Sequence, residues 1–105
     1  MPSINQLDIH DTKNKITSGE INIVDIRDPA SYTMGHIEDA THLSDSNVQE
    51  FVEKTDKDIP LIVYCYHGNS SQGAAAYFQE QGFKEVYSMA GGFEAWKYTY
   101  PFETD

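Results

Sequence analysis

The sequence predicts an α/β sandwich with a central, mostly parallel sheet flanked by helices. Three observations carry that prediction. Short β-branched or apolar runs at 21–26, 61–64 and 83–88 alternate with segments of helical character, at a spacing suited to β-α-β units. Gly19, Pro29, Pro60, Gly82 and Pro101 stand where one stretch stops or the next begins. The whole occupies 105 residues, enough for one domain over 1–105 and too short for a second core.

In order, Ile4 to Leu7 is expected as a short first strand. A helix follows, opened by Asp8 or by His10-Asp11, running through Lys15-Ile16 and stopping at Gly19. Ile21-Asn22-Ile23-Val24-Asp25-Ile26 reads as a buried strand. Asp28 caps a turn of helix with Pro29 in its first position, taking in Ala30, Ser31 and Tyr32. Gly35-His36-Ile37 is a turn and Ala40 to Leu43 a third, short strand.

Ser44-Asp45-Ser46 offers caps for a helix from about Asn47 to Lys54, in which Val48, Phe51 and Val52 share a face. After the polar connection Thr55 to Asp58, Leu61 to Tyr64 is a wholly apolar strand ending at Cys65. A helix from about Ser70 to Gln81 stops at Gly82, and Phe83 to Ser88 is the last strand. Gly91-Gly92 turns into a final helix carrying Phe93, Ala95 and Trp96, with Pro101 as its stop.

Hydrophobic residues make up 39% of the chain, with seven Tyr, five Phe and one Trp, which supports one packed core and excludes a disordered segment. Seven Lys and Arg stand against seventeen Asp and Glu, a net charge of −10. That balance argues against nucleic acid or anionic lipid as a partner. It also repels small anions, so any anion site must be built locally from backbone dipoles and one or two cations. A single cysteine excludes a disulfide scaffold. Met1-Pro2-Ser3-Ile4-Asn5 has neither a basic nor an apolar leader character, and no apolar run is long enough to span a bilayer. A soluble cytoplasmic protein without a membrane partner is expected.

The chemistry concentrates after the apolar run 61–64. A lone cysteine is ordinarily a small buried hydrophobe. Here it is followed by Gly68, Asn69, Ser70 and Ser71, small residues that let backbone N–H groups converge at a helix N-terminus. Gly73, Ala74, Ala75 and Ala76 let that helix approach the sheet closely. Such a setting lowers a thiol's pKa and favours the thiolate. A Cys–His protease arrangement fails, because His67 is two residues from Cys65 and no histidine follows it. One Cys and four scattered His lack metal-ligand spacing, so no metal is expected. Cys-x-x-Cys, the disulfide oxidoreductase pattern, is missing.

Two anion-handling readings remain. A cysteine phosphatase clamps its phosphoryl group with an arginine six residues after the cysteine. That position is Ser71, and no Arg or Lys occurs from Pro60 to Phe83. A persulfide, carrying one small anionic sulfur, needs only N–H groups and hydroxyls. The loop therefore suits sulfur transfer better than phosphoryl transfer.

Three separated segments extend this reading: Val24-Asp25-Ile26-Arg27-Asp28-Pro29 through Gly35-His36-Ile37, then Cys65-Tyr66-His67-Gly68-Asn69-Ser70-Ser71, then Gly91-Gly92-Phe93-Glu94-Ala95-Trp96. In this order the chain resembles the single-domain rhodaneses of the small thiosulfate sulfurtransferase type. The resemblance implies a rhodanese-like three-layer sandwich. It implies a double-displacement reaction in which Cys65 takes the outer sulfur of thiosulfate, releases sulfite and passes the sulfur to cyanide or a thiol. Tyr66, His67, Gly68, Asn69, Ser70 and Ser71 would form the substrate loop, with no metal or organic cofactor. A small dithiol protein such as thioredoxin would be an acceptor. Many relatives carry a basic residue in or just after this loop; Ser71 and Gln72 stand there in this chain, which implies weaker affinity for thiosulfate.

Supporting roles stay open at this point. Asp25 and Arg27 read as an ion pair fixing the turn at Asp28-Pro29, or as a source of positive potential near the site. His36 reads as structural. His67 either holds the loop or, when protonated, stabilises the thiolate. Trp96 belongs to the core or lies over it. A carrier that holds a persulfide without turnover is the alternative of a different class.

Overall fold

A computed structural model of the chain describes residues 4–105. Residues 1–3, the start of the stretch read above for leader character, lie outside the described residues. Five strands, β1 (Asn5–Leu7), β2 (Asn22–Asp25), β3 (Thr41–His42), β4 (Leu61–Tyr64) and β5 (Val86–Met89), form one sheet in the order β1-β5-β4-β2-β3. Every pairing in it is parallel. The helices α1 (Ile9–Ser18), α2 (Pro29–Met34), α3 (Val48–Lys54), α4 (Ser70–Glu80) and α5 (Gly92–Lys97) fill the connections, as parallel strands require.

β4 lies at the centre, paired on one side with β2 and on the other with β5, and its four residues are fully buried. A parallel strand covered on both faces has no polar side, which is why Leu61 to Tyr64 is a continuous apolar run. Its side chains still alternate. Ile62 and Tyr64 join Ile23, Met89, Ile9 and Trp96 on the face covered by α1 and α5. Leu61 and Val63 join Val24, Val86, Val52 and Phe78 on the face covered by α3 and α4. Helix, sheet and helix make three layers.

The local signals act as their chemistry dictates, with four corrections. Asp8 is the cap of α1, its carboxylate accepting the Asp11 N–H at 2.8 Å. Asp28 caps α2 by accepting the Ser31 N–H at 3.2 Å and the Ser31 hydroxyl at 2.7 Å, and the helix runs past Tyr32 to Met34. Ser44, Asp45 and Ser46 do not cap α3: Asn47 stands at its cap position, and its side chain turns back to accept the Ser44 N–H at 2.7 Å. Gly82 ends α4 with φ +102°, so Phe83 leaves the helix at once and donates its N–H back to the Phe78 carbonyl. That return contact occupies Phe83, and the last strand begins only at Val86. Pro101 does not stop α5, which ends at Lys97; Thr99 and Tyr100 fold back onto the Trp96 carbonyl, and Pro101 supplies the carbonyl that accepts the Trp96 indole N–H at 3.1 Å. Among the described residues no helix is long and apolar enough to cross a membrane.

Candidate active site

Cys65 follows β4 directly and sits at the carboxyl edge of the sheet, where open parallel sheets place their ligand sites. Only 7% of the residue is exposed. The chain turns back through Gly68 at φ +98°, a left-handed conformation that favours glycine. Space imposes the same choice, since a Cβ on Gly68 would lie 3.0 Å from the Gly91 nitrogen.

The turn aims donors at one atom. The Gly68 N–H reaches the Cys65 Sγ at 3.1 Å and the Ser71 N–H at 3.3 Å, while the Ser71 hydroxyl lies 3.4 Å from it. Ser71 stands in the first turn of α4, so the positive end of that helix also faces the sulfur. Burial pushes the Cys65 thiol pKa up. The Ser71 hydroxyl and amide and the Gly68 and His67 amides outweigh that effect and hold it below its ordinary value.

α5 locks the loop from the other side. Phe93 donates its N–H to the Cys65 carbonyl at 2.9 Å and Glu94 donates to the Tyr66 carbonyl at 3.0 Å. This approach needs a missing side chain: a Cβ on Gly92, where φ is +60°, would lie 2.7 Å from the Cys65 carbonyl oxygen and closer still to that of Tyr66. The Gly91-Gly92 pair is therefore the seat of the cysteine loop as well as a turn.

The loop residues divide by orientation. Tyr66, His67, Asn69 and Ser70 are exposed at its rim, and Gly68 and Ser71 are buried beneath. His67 is turned to Glu94, with Nδ1 at 2.5 Å from the carboxylate. Tyr66 accepts a hydrogen bond from Lys97 Nζ at 2.7 Å. Gln72 donates to the Gly68 carbonyl at 3.0 Å and so pins the turn. Ser71 does not line the mouth: it is fully buried and its hydroxyl meets that of Ser88 on β5 at 2.7 Å.

Asp25, Arg27 and His36 build the frame around this loop. Asp25 is fully buried, and its carboxylate accepts from the Arg27 Nε and Nη2 and from the Arg27 backbone N–H. Arg27 also donates to the Gly35 carbonyl at 2.5 Å and lies 4.3 Å from the Phe93 ring centre. Its guanidinium lies 5.6 Å from the Tyr64 ring centre, and its carbonyl accepts from His42 Nε2 at 2.6 Å. The pair thus ties the first segment to α5. His36 is buried, donates from Nδ1 to the Tyr32 carbonyl at 2.9 Å and exchanges two backbone hydrogen bonds with Glu103. Trp96 is core.

The sequence reading missed Ser88 and Lys97. A serine within a strand has no spacing that marks it, and Lys97 lies outside all three segments. The helical offset between Phe93 and Lys97 was the available signal, since it carries a side chain one turn along the helix that seats the loop.

The site is thus a buried thiol with a depressed pKa, ringed by amides and set between the two flanking segments. The family described as "Rhodanese-like domain" matches residues 8–99. The chain belongs to the rhodanese family. Among curated rhodaneses, the protein named thiosulfate sulfurtransferase GlpE from Pseudomonas paraeruginosa is 56% identical over 82 residues, 78% of this chain and 74% of that one. Its namesake from Pseudomonas entomophila is 58% identical over 82 residues, 78% of this chain and 75% of the relative. The solution structure of the rhodanese-like domain of an Anabaena protein superimposes with a TM-score of 0.85 at 27% identity, covering 95% of this chain and 79% of that one.

Proposed function

We propose that this rhodanese is a thiosulfate sulfurtransferase, working as one domain, in which Cys65 is the nucleophile and carries the transferred sulfur. The observation that carries the reading is the set of groups on Sγ: two backbone N–H donors and the buried Ser71 hydroxyl 3.4 Å away, with no cation among the described residues bonded to it. The activity named for the Pseudomonas relatives supports the same substrate.

The reaction runs in two displacements. The Cys65 thiolate attacks the outer sulfur of thiosulfate; a Cys65–S bond forms, the S–S bond of thiosulfate breaks, and its electron pair leaves on sulfite. The outer sulfur of the resulting persulfide is anionic. The Gly68 and Ser71 amides and the rim of Tyr66, His67, Asn69 and Ser70 surround that charge, in the role that oxyanion-hole donors have in acyl transfer. Cyanide or a thiol then attacks the outer sulfur, and the electron pair of the breaking S–S bond returns to Cys65. No step calls for a metal or an organic cofactor. A dithiol protein of the thioredoxin kind is the acceptor class, and a reducing cytoplasm the setting, because a lone reactive thiol is kept free there.

Thiosulfate is a dianion approaching a protein of net charge −10, so a local cation matters. Lys97 supplies it, next to Tyr66 and beyond the sequence window in which relatives carry their basic residue. Phosphoryl transfer lacks support, since the arginine-clamp position holds a buried serine.

Intact-mass analysis after incubation with thiosulfate tests the proposal. Wild type gains one sulfur atom, loses it on addition of cyanide and releases sulfite with each turnover, while Cys65→Ser gains none. An unmodified wild-type mass would end the reading.

A further inference from the structure

We propose that Ser88 is a positioning residue: through the Ser71 hydroxyl it aligns a buried hydrogen-bond chain whose last donor points at Cys65 Sγ. The inference deepens the function above and rests on it only for the use made of the sulfur.

Ser71 and Ser88 are both fully buried. Their oxygens are 2.7 Å apart, and the Ser71 oxygen is 3.4 Å from the sulfur, so three polar atoms form a chain with two links. Each hydroxyl brings one hydrogen. A thiolate only accepts. With the sulfur ionised, one arrangement uses both hydrogens: Ser88 donates to Ser71, and Ser71 donates to Sγ. Reversing the first link would turn the Ser71 hydrogen away from the sulfur and leave the Ser88 hydrogen buried without an acceptor in the chain. With the sulfur protonated, three hydrogens compete for two links, while the Gly68 and Ser71 amides already point N–H groups at Sγ. One buried hydrogen is then stranded. The chain is matched to the charged sulfur.

Ser88 fixes the sense of this chain, and its donation polarises the Ser71 O–H toward Sγ. The same alignment serves both displacements, since Cys65 attacks as a thiolate in the first and leaves as one in the second. Packing alone does not explain the residue. Ser88 lies opposite Val63 on the face that Val24, Leu61 and Val86 make apolar, where alanine fills nearly the same space without burying a hydroxyl.

The charged and titratable groups on the elements that meet at the loop are Asp25 at the end of β2 with Arg27, Tyr64 on β4, His67 in the loop with Glu94 on α5, and Lys97 on α5. Substituting either serine leaves all of them in place, so a change in the Cys65 titration reports the hydroxyls.

The test is the pH dependence of thiolate ultraviolet absorbance and of iodoacetamide alkylation in wild type, Ser88→Ala, Ser88→Thr, Ser71→Ala and Ser71→Ala/Ser88→Ala, each checked for native near-ultraviolet circular dichroism. In Ser88→Ala the midpoint should rise and alkylation below it should slow about twofold to tenfold, the range expected for one hydrogen bond. Ser88→Thr, which keeps the hydroxyl, should hold the wild-type midpoint. In the Ser71→Ala background the Ser88→Ala change should have no further effect. A wild-type midpoint in folded Ser88→Ala overturns the proposal. So does a shift that adds to that of Ser71→Ala, and if Ser88→Ala does not fold, a raised midpoint in Ser88→Thr does the same. None of these measurements needs thiosulfate, so failure of the alignment and failure of the sulfurtransferase reading are separate results.

Discussion

A negative charge on Cys65 is favoured in a nearly closed space because partial charges, each from a bond dipole, converge on the sulfur. The sulfur is met by two amide N–H groups and the Ser71 hydroxyl, and among the described residues no ammonium or guanidinium group bonds it. Its proton is therefore held less tightly in the folded chain than in the unfolded one. Between the depressed folded midpoint and the ordinary thiol value the unfolded state binds more protons, so stability rises with pH across that window. The contribution is complete above the ordinary value and gone below the folded midpoint. Urea unfolding of wild type and Cys65→Ala at several pH values within that window checks this: wild type should gain stability with pH relative to the variant, and parallel curves would refute it. Lys97 belongs to the same scale. Its side chain is half-exposed and its ammonium bonds Tyr66 at the rim, so Lys97→Ala should change unfolding little. It should raise the KM for thiosulfate several-fold at low salt, an effect that shrinks as salt screens the charge. Steady-state kinetics at two ionic strengths decide it.

At the scale of elements, the cysteine loop is a shared product of β4, α4 and α5. β4 delivers the thiol, α4 brings the Ser71 donors, and α5 caps the Cys65 and Tyr66 carbonyls. Gly92→Ala tests the last contribution. The added methyl meets both carbonyls and forces a left-handed φ on a residue with a side chain. It should cost about 1–3 kcal/mol of stability and raise the Cys65 midpoint, as the loop is pushed off its seat. Denaturant unfolding alongside alkylation would show both changes; an unmoved midpoint would mean that α5 only supports the loop's outer surface. Much of this level was legible in the sequence. Asp8 and Asp28 announce their helices, Gly82 ends α4, and Leu61 to Tyr64 declares a strand covered on both sides. What stayed hidden depends on distant partners. Phe83 looks like strand but is claimed by the carbonyl of Phe78, and Pro101 looks like a stop but serves Trp96. Ser71 reads as one more residue of the substrate loop, and nothing in the sequence marks that its hydroxyl meets Ser88, a residue of β5.

For the whole molecule, the Asp25–Arg27 pair links the strand edge, the Gly35 carbonyl and the Phe93 ring. Arg27→Ala would leave a fully buried carboxylate without its partner, so it should destabilise the fold by about 3–5 kcal/mol, read by chemical unfolding. Full stability in that variant would mean that solvent reaches Asp25. The net charge of −10 acts over the same range. In Lys97→Ala, where the local cation is gone, added salt should raise kcat/KM for thiosulfate, because it screens the remaining repulsion. The family itself was legible because its three segments meet at one place: Gly35 under Arg27, Cys65 at the end of β4, and Gly92 against the Cys65 carbonyl.

The position of β4 bears on how long a cargo survives. A strand paired on both sides and covered on both faces belongs to the slowest-exchanging part of a sheet, the part whose amides wait for global opening. Cys65 is attached to its end. Partial opening at the outer strands β1 and β3 leaves that anchorage intact. A sulfur atom carried on Cys65 would keep its anchorage through such openings, and its residence time would be set by encounters with an acceptor able to reach into the loop rather than by fraying of the sheet.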